Sequence, residues 1–185
     1  DSNPRHYRPQ VYANDMTALL KAIGAKQAVF IGTSLGGLVT MMLAASNPKQ
    51  IGAAVLNDVG PHVAKAGLAR IASYAGKSAH VRSWAEAAAY VKQINAAALP
   101  NSTDADWEAY ARRVFKSGTD GAPILDYDTR AVSKAPRWLI WMTEPLIWGA
   151  YRKLARTGPL LVVRGATSDI LDQPTLRRMS RQAPN

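Results

Sequence analysis

AVFIGTSLGG, residues 28–37, joins a short apolar run to a run of small residues. Residues 28–32 combine valine, phenylalanine and isoleucine without polar alternation, which is typical of a strand buried on both faces. The pattern that follows predicts a helix that ends before Pro48. Ser34 therefore lies where a buried strand turns sharply into a helix.

Further apolar runs on either side of this turn indicate the fold class. AAVLN at residues 53–57 repeats the buried-strand pattern shortly after the helix, and a strand, a helix and a strand in such short order form a parallel unit. An amphipathic helix precedes the unit at residues 11–23. Strand character returns at residues 159–165, before a last helical pattern at residues 174–181. The sequence therefore predicts an α/β protein with a parallel sheet.

A helical insert separates the second predicted strand from the third. Apolar spacing predicts one helix near residues 84–94 and another that opens at the cap residues 102–104. The stretch 137–155 predicts two short helices separated at Pro145. These patterns divide the chain into a first core part, a helical cap and a second core part, at residues 1–62, 63–158 and 159–185.

The composition excludes several kinds of chemistry. The 185 residues contain no cysteine, so disulfides, thiolate metal clusters and a cysteine nucleophile are excluded. His6, His62 and His80 lie far apart without a second ligand at helical spacing, and we therefore predict no metal and no other cofactor. No apolar stretch reaches the ~20 residues of a bilayer crossing, and the first residues show no signal pattern, so we expect a cytoplasmic protein without membrane contact.

The net charge of +10 raises the question of a nucleic-acid partner. The 23 lysines and arginines are scattered, with small groups only at residues 152–156 and 177–181. No alternation of aromatic and basic residues indicates a platform for single strands. We therefore predict no nucleic-acid partner and interpret the charge as a solvated surface.

The turn at Ser34 suggests nucleophilic chemistry. A serine at a strand-to-helix turn is held in a strained conformation with its hydroxyl at the open end of the sheet. Glycine two residues before and after it, at Gly32 and Gly36, lets the backbones pass closely. The helix behind the turn directs free backbone amides at the same point, so the amide of Leu35 can stabilise an oxyanion on a carbonyl attacked by Ser34.

A phosphate cradle of the dinucleotide-binding kind is the alternative interpretation of this glycine-rich turn. Its GxGxxG pattern requires glycine where this chain has Ser34. Asp58 is the only acidic residue near the position from which such sites bind a ribose. A nucleophilic serine is therefore the favoured interpretation.

Three motifs together resemble one known family. They are GTSLGG at residues 32–37, VLNDVGP at residues 55–61 and LLVVRGATSDIL at residues 160–171. With the helical insert, they resemble the α/β-hydrolase fold, in its group with a helical cap after the sixth strand. The resemblance implies a partial sheet of three parallel strands, the fifth, sixth and seventh of the family, at residues 28–33, 52–57 and 160–164.

The resemblance also implies a catalytic triad in the chain order nucleophile, acid, histidine. Ser34 matches the nucleophile, and Asp169 matches the acid in the loop after the seventh strand. A carboxylate after a neighbouring parallel strand lies at the same sheet edge as Ser34, where it can orient a histidine. Asp58, also at a strand end, is the alternative acid. Asp172 is interpreted as a helix cap before Pro174.

The histidine of the family lies after an eighth strand, which the resemblance places beyond residue 185. The second donor of the oxyanion hole lies upstream of the first helix in that family. We therefore expect a fragment without both ends of the fold, and expect it to be inactive by itself. His62 follows the sixth strand, where a polar residue at the hinge of the cap is the simpler interpretation, and His6 and His80 receive no role.

These observations predict a serine hydrolase that acts on a carboxylic ester, a lactone or a related acyl bond. Its partner is a small-molecule substrate with an apolar part, and the aromatic cap, with Trp138, Trp141 and Trp148, is a candidate roof for that part. Plain core is the other interpretation of these tryptophans. A hydrolase of carbon–carbon bonds, an acyltransferase and a non-catalytic scaffold of the same fold are the alternatives. The oligomeric state is not predicted.

Overall fold

The computed structural model describes residue 3 and residues 6–74, 79–129 and 137–183, without the side chains of residues 137–141. Within these residues no helix is long and apolar enough to cross a membrane. The same residues contain no group of three or more histidine, aspartate or glutamate side chains that could hold a metal ion.

Helices and strands alternate at both ends of the chain, and helices dominate its middle. In chain order the elements are α1 (Pro9–Ala22), β1 (Ala28–Thr33), α2 (Leu35–Ser46), β2 (Ile51–Asn57), α3 (Lys65–Tyr74), α4 (Trp84–Asn95), α5 (Asp104–Val114), β3 (Phe115–Ser117), β4 (Pro123–Leu125), α6 (Arg137–Thr157), β5 (Leu160–Val163) and α7 (Gln173–Gln182).

The chain divides into two compact units. The first comprises Asp1–Arg70 and Ala135–Asn185, and the second comprises Ile71–Lys134. Helix α6, which the sequence places in the predicted cap, lies in the first unit and contributes to its core. The predicted boundaries at residues 1–62, 63–158 and 159–185 stay a prediction.

The first unit contains a parallel three-stranded sheet in the order β1-β2-β5. Thr33 of β1 pairs with Asn57 of β2, which in turn pairs with Val163 of β5. The residues that follow the strands, Ser34 and Asp58 among them, therefore lie at the same carboxyl edge. The predicted α/β class and the three predicted strands are confirmed.

The core of the first unit lies on one face of this sheet. Phe30 and Leu160 pack against buried side chains of α2 and α6, such as Met41 and Tyr151. The alternate positions of β1 are exposed, with Ile31 at 76% of its full accessibility. The prediction of a strand buried on both faces is therefore wrong for the residues present, because alternate side chains point to opposite sides of a sheet and only one side is covered here.

Helix α6 runs unbroken through Pro145, so the predicted pair of short helices is wrong. A proline inside a helix removes one backbone hydrogen bond and costs about 3 kcal/mol. The half of α6 after Pro145 buries Trp148, Tyr151 and Leu154 almost completely. Burial of large apolar side chains stabilises by about 2 kcal/mol each, which offsets the effect of the proline.

The second unit contains the two helices that the sequence predicts and one hairpin that it does not. Thr103 begins α5 with a capping box, in which its hydroxyl accepts from the amide of Asp106 and the Asp106 carboxylate accepts from the amide of Thr103. Strands β3 and β4 pair antiparallel over three residues each. Such short strands give too little periodicity for a prediction from the sequence.

Tyr151 makes the stability of the first unit sensitive to alkaline pH. Its side chain is fully buried and its hydroxyl donates to the Met179 carbonyl oxygen at 2.9 Å. Burial raises the pKa of Tyr151 to about 12 from its ordinary value of 10.0. Because the unfolded chain ionises first, the contribution to stability is complete below about pH 10 and decreases by up to about 3 kcal/mol towards pH 12.

Urea unfolding of the wild type and Tyr151→Phe at pH 8, 10 and 11 measures this dependence. Tyr90 and Tyr127 also have raised pKa values because they are partly buried, so the difference between the two proteins isolates Tyr151. We expect the difference to shrink as the pH rises. A constant difference across this range would contradict the assignment.

Candidate active site

Ser34 is the only residue between β1 and α2, and its backbone is strained. Its φ and ψ angles are 51° and −117°, in a region that residues other than glycine rarely adopt. The residue is exposed, and its side chain does not cap the helix that it precedes. Such strain persists only where the surroundings impose it, and it is common at functional sites. Ser34 is thus an exposed residue at the carboxyl edge of the sheet, and its role as a nucleophile stays a prediction.

Two glycines make this sharp turn possible. A Cβ atom on Gly32 would lie 2.6 Å from backbone atoms of Gly36 and Gly37, and a Cβ atom on Gly37 would overlap Val59 Cγ1. A Cβ atom on Gly36 would meet nothing within 4 Å. The sequence pattern assigns the close approach to Gly32 and Gly36, but the structure shows that Gly32 and Gly37 make it possible.

The first turn of α2 directs backbone amides towards the same edge. The amides of Gly37 and Leu38 donate to the Ser34 carbonyl oxygen at 3.0 and 3.3 Å. The amide of Leu35 precedes them, among the first amides of the helix, which have no partner within it. The positive end of the helix dipole lies at these amides and favours negative charge there.

Asp169 lies six residues beyond the end of β5 and is bound by an arginine. Arg70 Nε and Nη2 donate to its two carboxylate oxygens at 2.6 and 2.8 Å. These hydrogen bonds and the charge of the guanidinium lower the pKa of Asp169. Its carbonyl oxygen accepts from the amide of Gly67 at 3.0 Å, so side chain and backbone both contact α3.

Asp58 follows β2 directly and has a positive φ of 53°. Its Oδ1 accepts from the amide of Gly165 at 3.2 Å, and its Oδ2 accepts from the Ser168 hydroxyl at 2.9 Å. Ser34 and Asp58 are the two residues other than glycine with positive φ in the part of the chain that the structure describes. Both lie at the carboxyl edge of the sheet, on neighbouring strands.

Asp172 is the N-cap of α7, as the sequence predicts. Its Oδ1 accepts from the amide of Thr175 at 2.8 Å, and Pro174 occupies the first turn of the helix. Burial alone would raise the pKa of Asp172, but the hydrogen bonds from Thr175 lower it. This carboxylate has a structural role.

His62 belongs to a polar cluster with α6 and α7. Its Nδ1 lies 3.0 Å from Glu144 Oε2, and since a carboxylate only accepts, the ring donates this bond. Burial alone would raise the pKa of Glu144, but the bonds from His62 and from Trp148 Nε1 lower it. Arg178 stacks on the buried Trp148 ring at 3.9 Å, so this tryptophan is core, while the side chains of Trp138 and Trp141 lie outside the described residues.

Sequence analysis missed the partners of the two carboxylates. Arg70 and Asp169 are 99 residues apart in the chain, and Asp58 and Ser168 are 110 residues apart. No local spacing signals pairs at such separations. The one available signal for Ser168 was its place next to Asp169 in the motif after the last strand.

A sequence model of the alpha/beta hydrolase family matches residues 1–182 of the chain. A 3-hydroxybutyrate-oligomer hydrolase of Cupriavidus necator is 32% identical over 174 residues, which cover 91% of this chain and 58% of that protein. Most of this chain therefore aligns with a little over half of that relative.

Two crystal structures are similar over nearly the whole chain. An alpha/beta hydrolase from Novosphingobium aromaticivorans is 39% identical with a TM-score of 0.85, and the match covers 100% of this chain and 64% of that one. A protein from Rickettsia typhi is 26% identical with a TM-score of 0.81, and the match covers 98% of this chain and 60% of that one. The chain thus spans less than two thirds of the length of each of these relatives.

Proposed function

This chain belongs to the alpha/beta hydrolase family, and on that premise we propose that it carries the nucleophile of a serine hydrolase that cleaves carboxylic esters, lactones or related acyl bonds. The strained, exposed Ser34 at the joint of β1 and α2 is the observation that carries the proposal. A serine whose backbone is held in a disfavoured conformation, and which lies beside the amino end of a helix, suits attack on a carbonyl.

In the proposed mechanism, Ser34 Oγ forms a bond to the carbonyl carbon while a histidine takes its proton. The resemblance to the family places that histidine beyond residue 185. The oxygen of the tetrahedral intermediate accepts from the Leu35 amide. When the intermediate collapses, the alcohol leaves with the proton, and water later releases the acid from the acyl-enzyme and restores the serine.

A carboxylate must hold the histidine in the correct tautomer and stabilise its charged form. Asp169 is the carboxylate that the resemblance implies, and Asp58 is the alternative at the same edge. Neither role requires a metal or an organic cofactor, since the serine, the histidine and the backbone amides supply the chemistry.

The relative from Cupriavidus necator supports esters of hydroxy acids as the substrate class. Its name specifies oligomers of 3-hydroxybutyrate, in which hydroxy-acid units are joined by ester bonds. We extend this class to the present protein as small oligoesters with an apolar chain. Cleavage of a carbon–carbon bond and acyl transfer have no comparable support.

Labelling of the full-length protein with a fluorophosphonate tests the proposal. The serine oxygen displaces fluoride and forms a stable bond to phosphorus, so mass spectrometry of the digest locates the adduct. We expect a single adduct on Ser34, blocked by prior incubation with a 3-hydroxybutyrate oligomer. An active protein whose adduct lies on another residue would contradict the proposal. The 185-residue chain alone is expected to show no turnover, because it provides no histidine at the family position.

A further inference from the structure

The carboxylate of Asp169, which the family resemblance implies as the acid of the triad, is bound by an arginine from another element. Arg70 Nε donates to Oδ2 at 2.6 Å and Nη2 donates to Oδ1 at 2.8 Å. Both side chains are partly buried, with 25% of the Arg70 side chain and 33% of the Asp169 side chain exposed. Two parallel hydrogen bonds between planar charged groups fix the orientation of the carboxylate.

This arrangement is compatible with a histidine on the same carboxylate. An ionised carboxylate has about four acceptor sites, of which the arginine occupies two, so acceptor capacity remains for an imidazole N–H. The exposed third of the Asp169 side chain gives access to it. Because the hydrogen bonds and charge of Arg70 lower the pKa of Asp169, the carboxylate stays ionised, as a group that stabilises an imidazolium must be.

Other residues hold the backbone of the loop that carries Asp169. Asp58 accepts from the amide of Gly165 at 3.2 Å and from the Ser168 hydroxyl at 2.9 Å. Arg164 Nη2 donates to the Ser168 carbonyl oxygen at 3.1 Å. These contacts bind backbone atoms and a hydroxyl of the loop after β5. The orientation of the Asp169 side chain is therefore set by a separate contact.

Helix α3 fixes Arg70 relative to this loop. The amides of Ala64 and Gly67 donate to the carbonyl oxygens of Ile170 and Asp169, each at 3.0 Å. A Cβ atom on Gly67 would lie 2.6 Å from the Asp169 carbonyl oxygen, so the glycine permits a close approach of helix and loop. Arg70 follows Gly67 by three residues and so lies on the same face of the helix. One face of α3 thus binds both the backbone and the side chain of Asp169.

We infer that Arg70 is a positioning residue of this hydrolase, which holds the Asp169 carboxylate in the orientation that the catalytic histidine needs. The inference rests on the proposed function, in which Ser34 is the nucleophile and Asp169 orients the histidine. Arg70 acts through that carboxylate and the histidine, and not on the reacting atoms. Its positive charge has a second effect, because a cation near the imidazole disfavours the imidazolium and lowers the pKa of the histidine.

The kinetics of full-length Arg70→Gln test the inference. Glutamine removes both the paired hydrogen bonds and the charge. We expect kcat for a 3-hydroxybutyrate oligomer, measured on the plateau of the pH profile, to fall about 10-fold to 10²-fold with little change in KM, because misplacement of a catalytic group by about 1 Å costs as much as 10²-fold. The apparent pKa of the basic group in kcat/KM should rise by about half a unit to one unit, since the cation no longer disfavours the imidazolium. A purely structural contact would not move this pKa.

Two further variants separate geometry from charge. Arg70→Lys keeps a positive charge but loses the planar pair of donors, so kcat should stay below that of the wild type while the apparent pKa is unchanged. Lys65→Gln is the matched control, because it removes a positive charge from an exposed position of the same helix, and it should keep both wild-type values. The other charged or titratable groups on the loop and on the elements that contact it are the same in all variants: Asp58, His62, Arg164 and Asp172.

The outcomes for Arg70 decide the inference. A folded Arg70→Gln variant with wild-type kcat, or with a lower kcat but an unchanged apparent pKa, would overturn it. If Arg70→Gln does not fold, Arg70→Lys decides: a lower kcat at unchanged KM supports the inference, and a wild-type kcat overturns it.

Ser34→Ala and Asp169→Asn, measured in parallel, distinguish this inference from the proposed function. We expect Asp169→Asn to lower kcat by about 10³ to 10⁴, because the histidine loses its correct tautomer. Full activity of Ser34→Ala would remove the proposed function and the inference together. Full activity of Asp169→Asn with an inactive Ser34→Ala would overturn the inference and leave Ser34 as the nucleophile.

Discussion

Ser34→Ala in the full-length protein is expected to lower kcat for a 3-hydroxybutyrate oligomer on the order of 10⁶-fold and to abolish fluorophosphonate labelling. The variant removes the oxygen that forms the covalent bond, and the structure shows no second hydroxyl at the corresponding position of the turn. Thr33, the residue before it, is engaged through its hydroxyl with the Asn57 side chain at 3.1 Å. Substrate binding should persist, because the rest of the edge is unchanged.

The residual rate of Ser34→Ala distinguishes a serine enzyme from a protein that only binds. In a serine enzyme, the oxyanion donor and substrate binding alone leave a rate about 10³ to 10⁴ above that of water. Ser180→Ala is a matched control, because Ser180 is an exposed serine on α7 in the same unit. This variant should react with the fluorophosphonate and hydrolyse the substrate at the same rates as the wild type. Equal rates in Ser34→Ala and Ser180→Ala would refute nucleophilic catalysis by Ser34.

The strand-to-helix turn at Ser34 and the strands were predictable because their signals are local. Residues 28–37 contain the apolar run, the serine and the glycines within one turn of structure, so sterics and hydrophobicity act between near neighbours. Asp172 was predictable for the same reason, since an N-cap bonds to an amide three residues later. Gly36 shows the limit of that reasoning. The pattern assigns it a close approach, but the close contacts are made at Gly32, against backbone atoms, and at Gly37, against the Val59 side chain.

The remaining features depend on contacts between distant parts of the chain. Asp169 is bound by Arg70 and Asp58 is bound by Ser168, and no spacing rule connects the members of either pair. The continuity of α6 through Pro145 is decided in the same way, by burial against α2 that outweighs a local preference. Sequence patterns therefore predicted which residues lie at the carboxyl edge of the sheet, whereas the partners of its carboxylates depend on the folded chain.

Gly32→Ala is expected to destabilise the full-length protein by about 3 kcal/mol and to reduce Ser34 labelling at the same time. The added Cβ would lie 2.6 Å from the Gly36 carbonyl carbon and oxygen and from the Gly37 amide nitrogen. These are backbone atoms at the start of α2, so they cannot move without moving the helix. A shifted helix would displace the Ser34 hydroxyl and the Leu35 amide together, because both are fixed by its first turn.

Gly36→Ala is the matched control four residues away, with the opposite expectation. A Cβ atom there meets nothing within 4 Å, and alanine in a helix is more favourable than glycine, so the free energy of unfolding should rise by about 0.5 kcal/mol with labelling preserved. Urea unfolding and labelling rates of both variants measure the contrast. If Gly32→Ala were as stable and as reactive as Gly36→Ala, the turn would tolerate a side chain before the nucleophile, and close backbone contact could not be what strains Ser34. The two substitutions add the same methyl group on the two sides of one serine, so a difference in labelling reports the packing of the turn at Ser34. The difference in stability also includes the helix preference of alanine at position 36.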